Sequence, residues 1–292
     1  MTASTAAAAD LLTRADRALD DLVGRESIKS AVHKICHTAE HRAPGVAQPG
    51  HLVFTGPLGT GKSAVAQIIA DIYAGTGIIT SPTVHSVSDR DLAGRYWDDP
   101  LAQLHKAVDS ALGGILYVDE ASRLSVGATG VVDPSGPDVI AALLDAMDTH
   151  AGNLIVILAG YGDEIETFLA GNERLAAQFP TSLDFESYNA YDIAEITAVI
   201  AARAGIRLTA KARAAIRVAV QVKIDHSLPR KYPIIDRFAN ARLSHQIYVQ
   251  AKERRTQRLA EMKPDDITSA DTRTLDVADV QAATTRILAK LH

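Results

Sequence analysis

Apolar positions along the chain follow two rhythms that divide it into regions. Up to Asp21 an alanine-rich stretch carries Leu11, Leu12, Ala15 and Leu19 at helical spacing, which predicts an N-terminal helical extension over residues 1–21. Residues 27–40 predict a second helix, and the Pro- and Gly-rich stretch 43–50 a loop. Short apolar runs then appear at 51–55, Val84–Val87, Ile115–Val118 and 154–159. The third is apolar throughout, as expected of a strand covered on both sheet faces. Helical segments separate these runs at 64–74, 101–112 and 139–148, the first two followed by glycines that suit helix ends. Strands alternating with helices predict a parallel α/β sheet. Residues 125–137, polar and rich in Gly and Pro, are expected to form a mobile loop. From Tyr191 onward the helical period dominates and no strand is expected. Helices are predicted at 194–204, 210–223, 237–259 and 277–291, with a surface connection at 262–273. The expected architecture is an α/β domain over residues 22–189, a three-layer sandwich, followed by a small all-helical lid over 190–292.

Composition narrows the class of partner. The 292 residues are 47% hydrophobic and 22% charged, the balance of an ordinary soluble globular protein. A net charge of −5 argues against a dedicated polyanion binder, so no nucleic-acid partner is expected. The basic cluster Lys252, Arg254, Arg255 and Arg258 reads as a solvated helix face. Cys36 is the single cysteine, which excludes an intrachain disulfide, fits the cytoplasm, and reads as a buried thiol in an apolar-periodic stretch. No basic leader precedes an apolar run and none reaches transmembrane length, so neither a signal peptide nor membrane insertion is expected. His33, His37 and His41 recur on one helix face beside Lys29, Lys34 and Glu40, and read as solvated side chains rather than metal ligands.

The chemistry sits at two strand ends. Gly56-Pro57-Leu58-Gly59-Thr60-Gly61-Lys62-Ser63 matches G-x-x-x-x-G-K-[ST] in full, between a strand and a helix. Glycines let the backbone wrap phosphate with inward N–H groups, and the helix adds its positive end. Lys62 would reach the β- and γ-phosphates of ATP, and the Ser63 hydroxyl would ligate Mg²⁺. The strand 115–118 ends in Asp119 and Glu120. Asp119 would hold the Mg²⁺ shell, and Glu120 would polarise the attacking water, which makes hydrolysis the expected outcome.

These residues, in this order, resemble the AAA+ superfamily and within it the CbxX/CfqX family. That family includes red-type Rubisco activases and the ATPase domain of EccA-type type VII secretion components. The resemblance runs over about residues 20–290 and is carried by Leu22-Val23-Gly24, by residues 51–56, and by Ala111-Leu112-Gly113-Gly114 leading into Asp119-Glu120-Ala121. It continues through 154–161, Asn172 with Phe179-Pro180, and Asn240-Ala241-Arg242. It implies a ring, usually hexameric, formed with itself or with a paralogue, that remodels a protein client through a central pore. It places Val23 and Gly24 near adenine, adds Ala64 and Tyr161 to the nucleotide site, and brings Arg242 and His245 from the lid. Tyr96 and Trp97 fall where the family carries its pore-loop aromatic, although Asp98 and Asp99 follow where a glycine is usual.

Two positions depart from the family. Gln178 stands where an arginine finger is usual, and a neutral amide cannot supply the charge whose loss typically costs ~10³–10⁵ in rate. Arg174, one turn earlier, is the candidate replacement. His245 stands where the lid usually carries a second arginine. Two functions therefore remain open: an ATP-driven remodeller, favoured by the intact Lys62, Ser63, Asp119 and Glu120, and a nucleotide-binding scaffold that hydrolyses slowly, favoured by Gln178, His245 and Asp98. The helical-repeat domain of full EccA-type proteins is not expected before residue 22, which weighs against a secretion role unless another chain provides that domain. The resemblance alone leaves Rubisco-related, secretion-related and other clients open.

Overall fold

The computed structural model describes residues 2–41, 50–88, 99–124, 136–226, 233–263, 265 and 267–289, and the chain separates into two compact units. The first comprises residues 1–56 and 61–185, the second 57–60 and 186–292.

The first unit is built on a parallel five-stranded sheet of β1 (Leu52–Thr55), β2 (Val84–Val87), β3 (Ile115–Val118), β4 (Ile155–Gly160) and β5 (Thr181–Asp184), in the order β2-β3-β4-β1-β5. The register pairs Leu52 with Ile157 and Thr181, and Ile115 with Val84 and Ile155. Every residue of β1, β3 and β4 is buried, as their unbroken apolar runs predict for strands covered on both faces. The edge strand β5 buries only Leu183 of its four residues, and its sequence Thr-Ser-Leu-Asp carries too little apolar signal to be read as a strand.

Helices cover both faces. Ile115, Tyr117, Ile157 and Phe54 pack toward α1 (Thr2–Asp20), α2 (Glu26–Glu40) and α3 (Lys62–Gly75). Leu116, Val118, Val156 and Leu158 pack toward α4 (Pro100–Ala111), α5 (Gly136–Thr149) and α6 (Gly162–Ala170). A one-turn helix, α7 (Glu173–Ala176), precedes β5. The first helix is part of this core. Ala15 and Leu19 are buried, and Arg14 Nε donates to Asp71 Oδ2 of α3 at 2.6 Å. Cys36 is half-buried rather than buried, because its position on α2 faces the margin of the cluster. The expected loop at 125–137 lies outside the described residues up to 135, and Gly136 and Pro137 open α5.

The second unit contains α8 (Ala190–Arg203), β6 (Arg207–Leu208), α9 (Ala210–Asp225), α10 (Ile234–Arg237), α11 (Ala241–Glu261), α12 (Ser269–Thr272), β7 (Thr274–Leu275) and α13 (Val277–Leu288). Its core includes Ile193, Ile216, Leu243, Ile247, Leu275 and Val280, all fully buried. Capping boxes start α8 at Asn189 and Asp192 and α13 at Asp276 and Asp279. Two expectations are corrected here. β6 and β7 form a parallel pair where no strand was expected, since two residues are too few to show a period of two. The helix expected from 237 starts at Ala241, because Ala239 and Asn240 take φ of 53° and 51° and break the helical path. Among the described residues no helix is long and apolar enough to cross a membrane.

Candidate nucleotide site

The phosphate loop leaves β1 and enters α3 through glycines in left-handed backbone. Gly56, Gly59 and Gly61 have φ of 133°, 74° and 100°. A Cβ at Gly56 would lie 2.1 Å from the Phe185 carbonyl oxygen, and one at Gly59 would lie 1.9 Å from that of Ala239. Both approaches require glycine, so the loop is held open by backbone packing that no larger residue tolerates. Gly56 N–H donates to Gly160 O at 2.9 Å, tying the start of the loop to the end of β4.

Within this loop Lys62 is 7% exposed, and its Nζ donates to Gly56 O at 2.6 Å. The ammonium is thus folded over the loop that it would share with a phosphate. Thr60, 1% exposed, closes the crest through Oγ1 to Pro57 O at 2.7 Å. Ser63 and Ala64 are exposed on the first turn of α3.

The acidic pair follows β3. Asp119 N–H donates to Val87 O at 2.8 Å, and Glu120 N–H donates to Asp119 Oδ1 at 3.1 Å. Glu120 has φ of 52°, an uncommon conformation for a non-glycine residue of the kind that clusters at functional sites. Its Oε2 lies 3.2 Å from Arg123 Nε, an ion pair on the surface. Tyr117, on β3 just before the pair, buries its ring and hydroxyl, and burial together with the Asp119 charge pushes its ionisation well above the ordinary tyrosine range.

The donor set suits Mg²⁺ with a nucleotide: the Ser63 hydroxyl on the first turn of α3 and the Asp119 carboxylate just after β3. Mg²⁺ in such sites takes few protein ligands and fills the rest of its shell with phosphate and water. Among the described residues, no three or more His, Cys, Asp or Glu side chains gather into a cluster that could hold a metal by themselves.

In the second unit the crest residues 57–60 meet the segment before α11. Asn240, fully buried, donates from Nδ2 to Leu58 O at 3.1 Å and to Asp236 Oδ1 at 2.9 Å, and its Oδ1 accepts from Tyr188 N–H at 2.8 Å. Ala241 N–H donates to Gly59 O at 3.1 Å. Arg242 and His245 line a groove of about 650 Å³ together with Arg237 and Arg286, and among the described residues no acidic side chain lines it.

The comparisons with known proteins agree with this geometry. The chain matches the model "ATPase family associated with various cellular activities (AAA)" over residues 52–183 and the AAA lid domain over 189–290. The chain belongs to the AAA ATPase family. It is 31% identical over 290 residues to the ESX-1 secretion system protein EccA1 of Mycobacterium tuberculosis H37Rv, covering 97% of this chain and 50% of that protein. It is 31% identical over 299 residues to the ESX-3 secretion system protein EccA3 of Mycolicibacterium smegmatis, covering 96% and 48%. The chain thus spans about half the length of the curated relatives it matches. The fold is shared with the Thermotoga maritima RuvB Holliday junction branch migration motor, at TM-score 0.60 and 14% identity over 92% of this chain and 70% of that one. The FIGL-1 AAA domain matches at TM-score 0.59 and 14% identity, over 91% and 82%.

Placed on the AAA framework, the remaining expected residues scatter. Val23 and Gly24 precede α2, Gly24 with φ of 63°, and Tyr161 begins α6 directly after β4. Arg174 is exposed on α7, and its Nη2 lies 3.4 Å from Asp148 Oδ2. Gln178 Nε2 reaches Asp148 Oδ1 of the same carboxylate at 3.5 Å, so the two side chains share one surface. Tyr96 and Trp97 lie outside the described residues. Sequence reasoning missed Asp148, Arg123, Arg237, Arg286 and the tether at Asn240. Only Asn240 carried a signal, its place in Asn240-Ala241-Arg242.

Proposed function

We propose that the chain binds ATP with Mg²⁺ and hydrolyses it, coupling turnover to the remodelling of a protein client. The observation that carries this reading is Lys62 Nζ folded onto Gly56 O at the phosphate loop, in the same unit as Asp119 and Glu120 at the end of β3. When bound, Mg²⁺ would be held by Ser63 and Asp119 and would neutralise charge on the phosphates. Lys62 would exchange its bond to the Gly56 carbonyl for a phosphate oxygen. Glu120 would leave Arg123 to orient the attacking water.

The same reading covers assembly. We infer a ring, hexameric in the manner of the CbxX/CfqX family, in which Arg174 stands in for the missing finger at Gln178. Asp148 would hold Arg174 in waiting. The EccA1 and EccA3 relatives favour a role beside a type VII secretion system in the cytoplasm, with a protein as client. A slow-hydrolysing scaffold is the second reading, and the engagement of Arg174 by Asp148 is the observation that favours it.

Steady-state turnover of the purified chain separates the two. The remodeller reading expects turnover that rises with protein concentration and falls at least tenfold in Arg174→Ala. Turnover unchanged in Arg174→Ala refutes the substitute finger, and absence of ATP binding by the parent chain refutes the whole assignment.

A further inference from the structure

The second unit carries a groove that the nucleotide reading does not use. Helix α8 is closed by Gly205, which has φ of 70° and donates its N–H to Ala202 O at 2.9 Å. Ile206 N–H adds a bond to Ala201 O at 2.9 Å and turns the chain into β6. The parallel pair of β6 and β7 then fixes directions. Leu208 and Leu275 are in register and buried, so Arg207 and Thr274, in register one step earlier, share the outer face. Ala198 and Ala202, one turn apart on α8, are too short to fill the space beside that face. A groove of about 610 Å³ results, lined by these alanines and by three arginines from three elements, Arg207, Arg213 and Arg273.

Three guanidinium groups together run against the balance of the chain, which has 35 acidic residues to 30 lysines and arginines. Among the described residues no acidic side chain lines the groove. Two acids beside it in sequence are engaged: Glu195 Oε2 accepts from Arg213 Nη1 at 3.1 Å, and Asp271 Oδ2 accepts from the Thr268 N–H and hydroxyl. Arg213 is thus anchored. Arg207 and Arg273 are exposed, and among the described residues their side chains make no hydrogen bond or ion pair. Planar guanidinium forks suit carboxylates, which they can grip through two parallel bonds. A bare phosphate is the poorer occupant. The part of α8 that lines the groove is its carbonyl end, and the N-terminus of α9 is closed by Thr209 Oγ1, which accepts from Ala212 N–H at 3.1 Å. An extended segment that alternates acidic with small apolar residues matches the whole lining, because its successive side chains point to opposite faces.

We propose that this groove docks an extended acidic segment of a protein partner. Arg207 and Arg273 pair with its carboxylates, and Ala198 and Ala202 receive its small apolar side chains. None of these residues belongs to the nucleotide site, so the inference is independent of the nucleotide reading.

The test titrates the full chain into a fluorescein-labelled octapeptide of alternating glutamate and alanine and follows fluorescence anisotropy. The same peptide with glutamine for glutamate is the reference. The acidic peptide is expected to bind the more tightly, and to lose that advantage as salt is raised. Arg207→Gln combined with Arg273→Gln should weaken its binding about fivefold or more, the worth of two exposed charge pairs. Arg254→Gln, on the exposed face of α11, should change it by less than about twofold. Both variants should melt with the parent, since the substituted side chains are exposed. Equal affinity for the two peptides overturns the proposal, as does the absence of binding to either. An equal loss in Arg254→Gln overturns it too, since attraction would then come from surface charge at large. Displacement of the peptide by equimolar pyrophosphate gives the groove to a small anion and overturns the peptide assignment. No arm of the test involves ATP, so failure of the nucleotide reading would leave these outcomes unchanged.

Discussion

Replacing Asn240 by alanine is the perturbation whose effect can be worked most fully from the structure. The side chain is fully buried and makes three hydrogen bonds, to Leu58 O, to Asp236 Oδ1 and from Tyr188 N–H. Each is worth about 1 kcal/mol net, and the Tyr188 N–H, left buried without its acceptor, adds about 1 kcal/mol more. The Asp236 carboxylate, whose Oδ2 has no partner among the described residues, would keep the Ser187 hydroxyl as a donor at 2.6 Å. Asn240→Ala should therefore lower stability by roughly 3–4 kcal/mol. The backbone offers an internal control. At φ of 51° a glycine is less strained than an alanine, so Asn240→Gly, which loses the same three bonds, should be the milder change by about 1 kcal/mol. Urea denaturation of the two variants and the parent, without nucleotide, measures all three. A loss below about 1 kcal/mol in Asn240→Ala, or a glycine variant less stable than the alanine one, would refute the reasoning that a buried amide pins the loop crest.

Other outcomes follow from single sites. His51 accepts from Val156 N–H at 2.8 Å and is held neutral by burial, its pKa lowered to about 4. A histidine depressed in the fold binds fewer protons than in the unfolded chain, so its contribution is complete above the ordinary value near 6.5 and is lost as pH falls from there toward 4. Stability should drop by up to about 3 kcal/mol across that window, and His51→Gln should flatten the slope in a pH series of urea melts. Arg14→Ala strips the ion pair from Asp71, which is 2% exposed and, among the described residues, keeps Gln67 Nε2 as a donor at 3.0 Å. Because the Arg14 end is open to solvent, the expected cost is about 1–2 kcal/mol, with faster amide exchange confined to α1. Glu120→Gln should leave ATP binding within about twofold while lowering turnover at least a hundredfold, and normal turnover in that variant removes Glu120 from the chemistry. Cys36, its thiol pushed up to about 11 chiefly by burial and then by Glu40, should react with iodoacetamide at pH 8 far more slowly in the folded chain than in urea.

Features that depend on neighbours along the chain are legible in the amino-acid sequence itself. The runs at β1, β3 and β4 stand out because a strand buried on both faces needs nothing but apolar residues. The phosphate loop is a contiguous string whose glycines, lysine and serine must lie side by side to wrap one ligand. Most helices follow from a period of 3.6 sustained over three or more turns. The short elements β5, β6 and β7 do not, since two to four residues with mixed polarity carry no period to detect. What the tertiary structure alone decides are contacts between residues far apart in sequence. Arg14 finds Asp71 across 57 positions, Arg174 finds Asp148 across 26, and Asn240 finds Leu58 across 182. None of these has a local signature, because packing selects such partners.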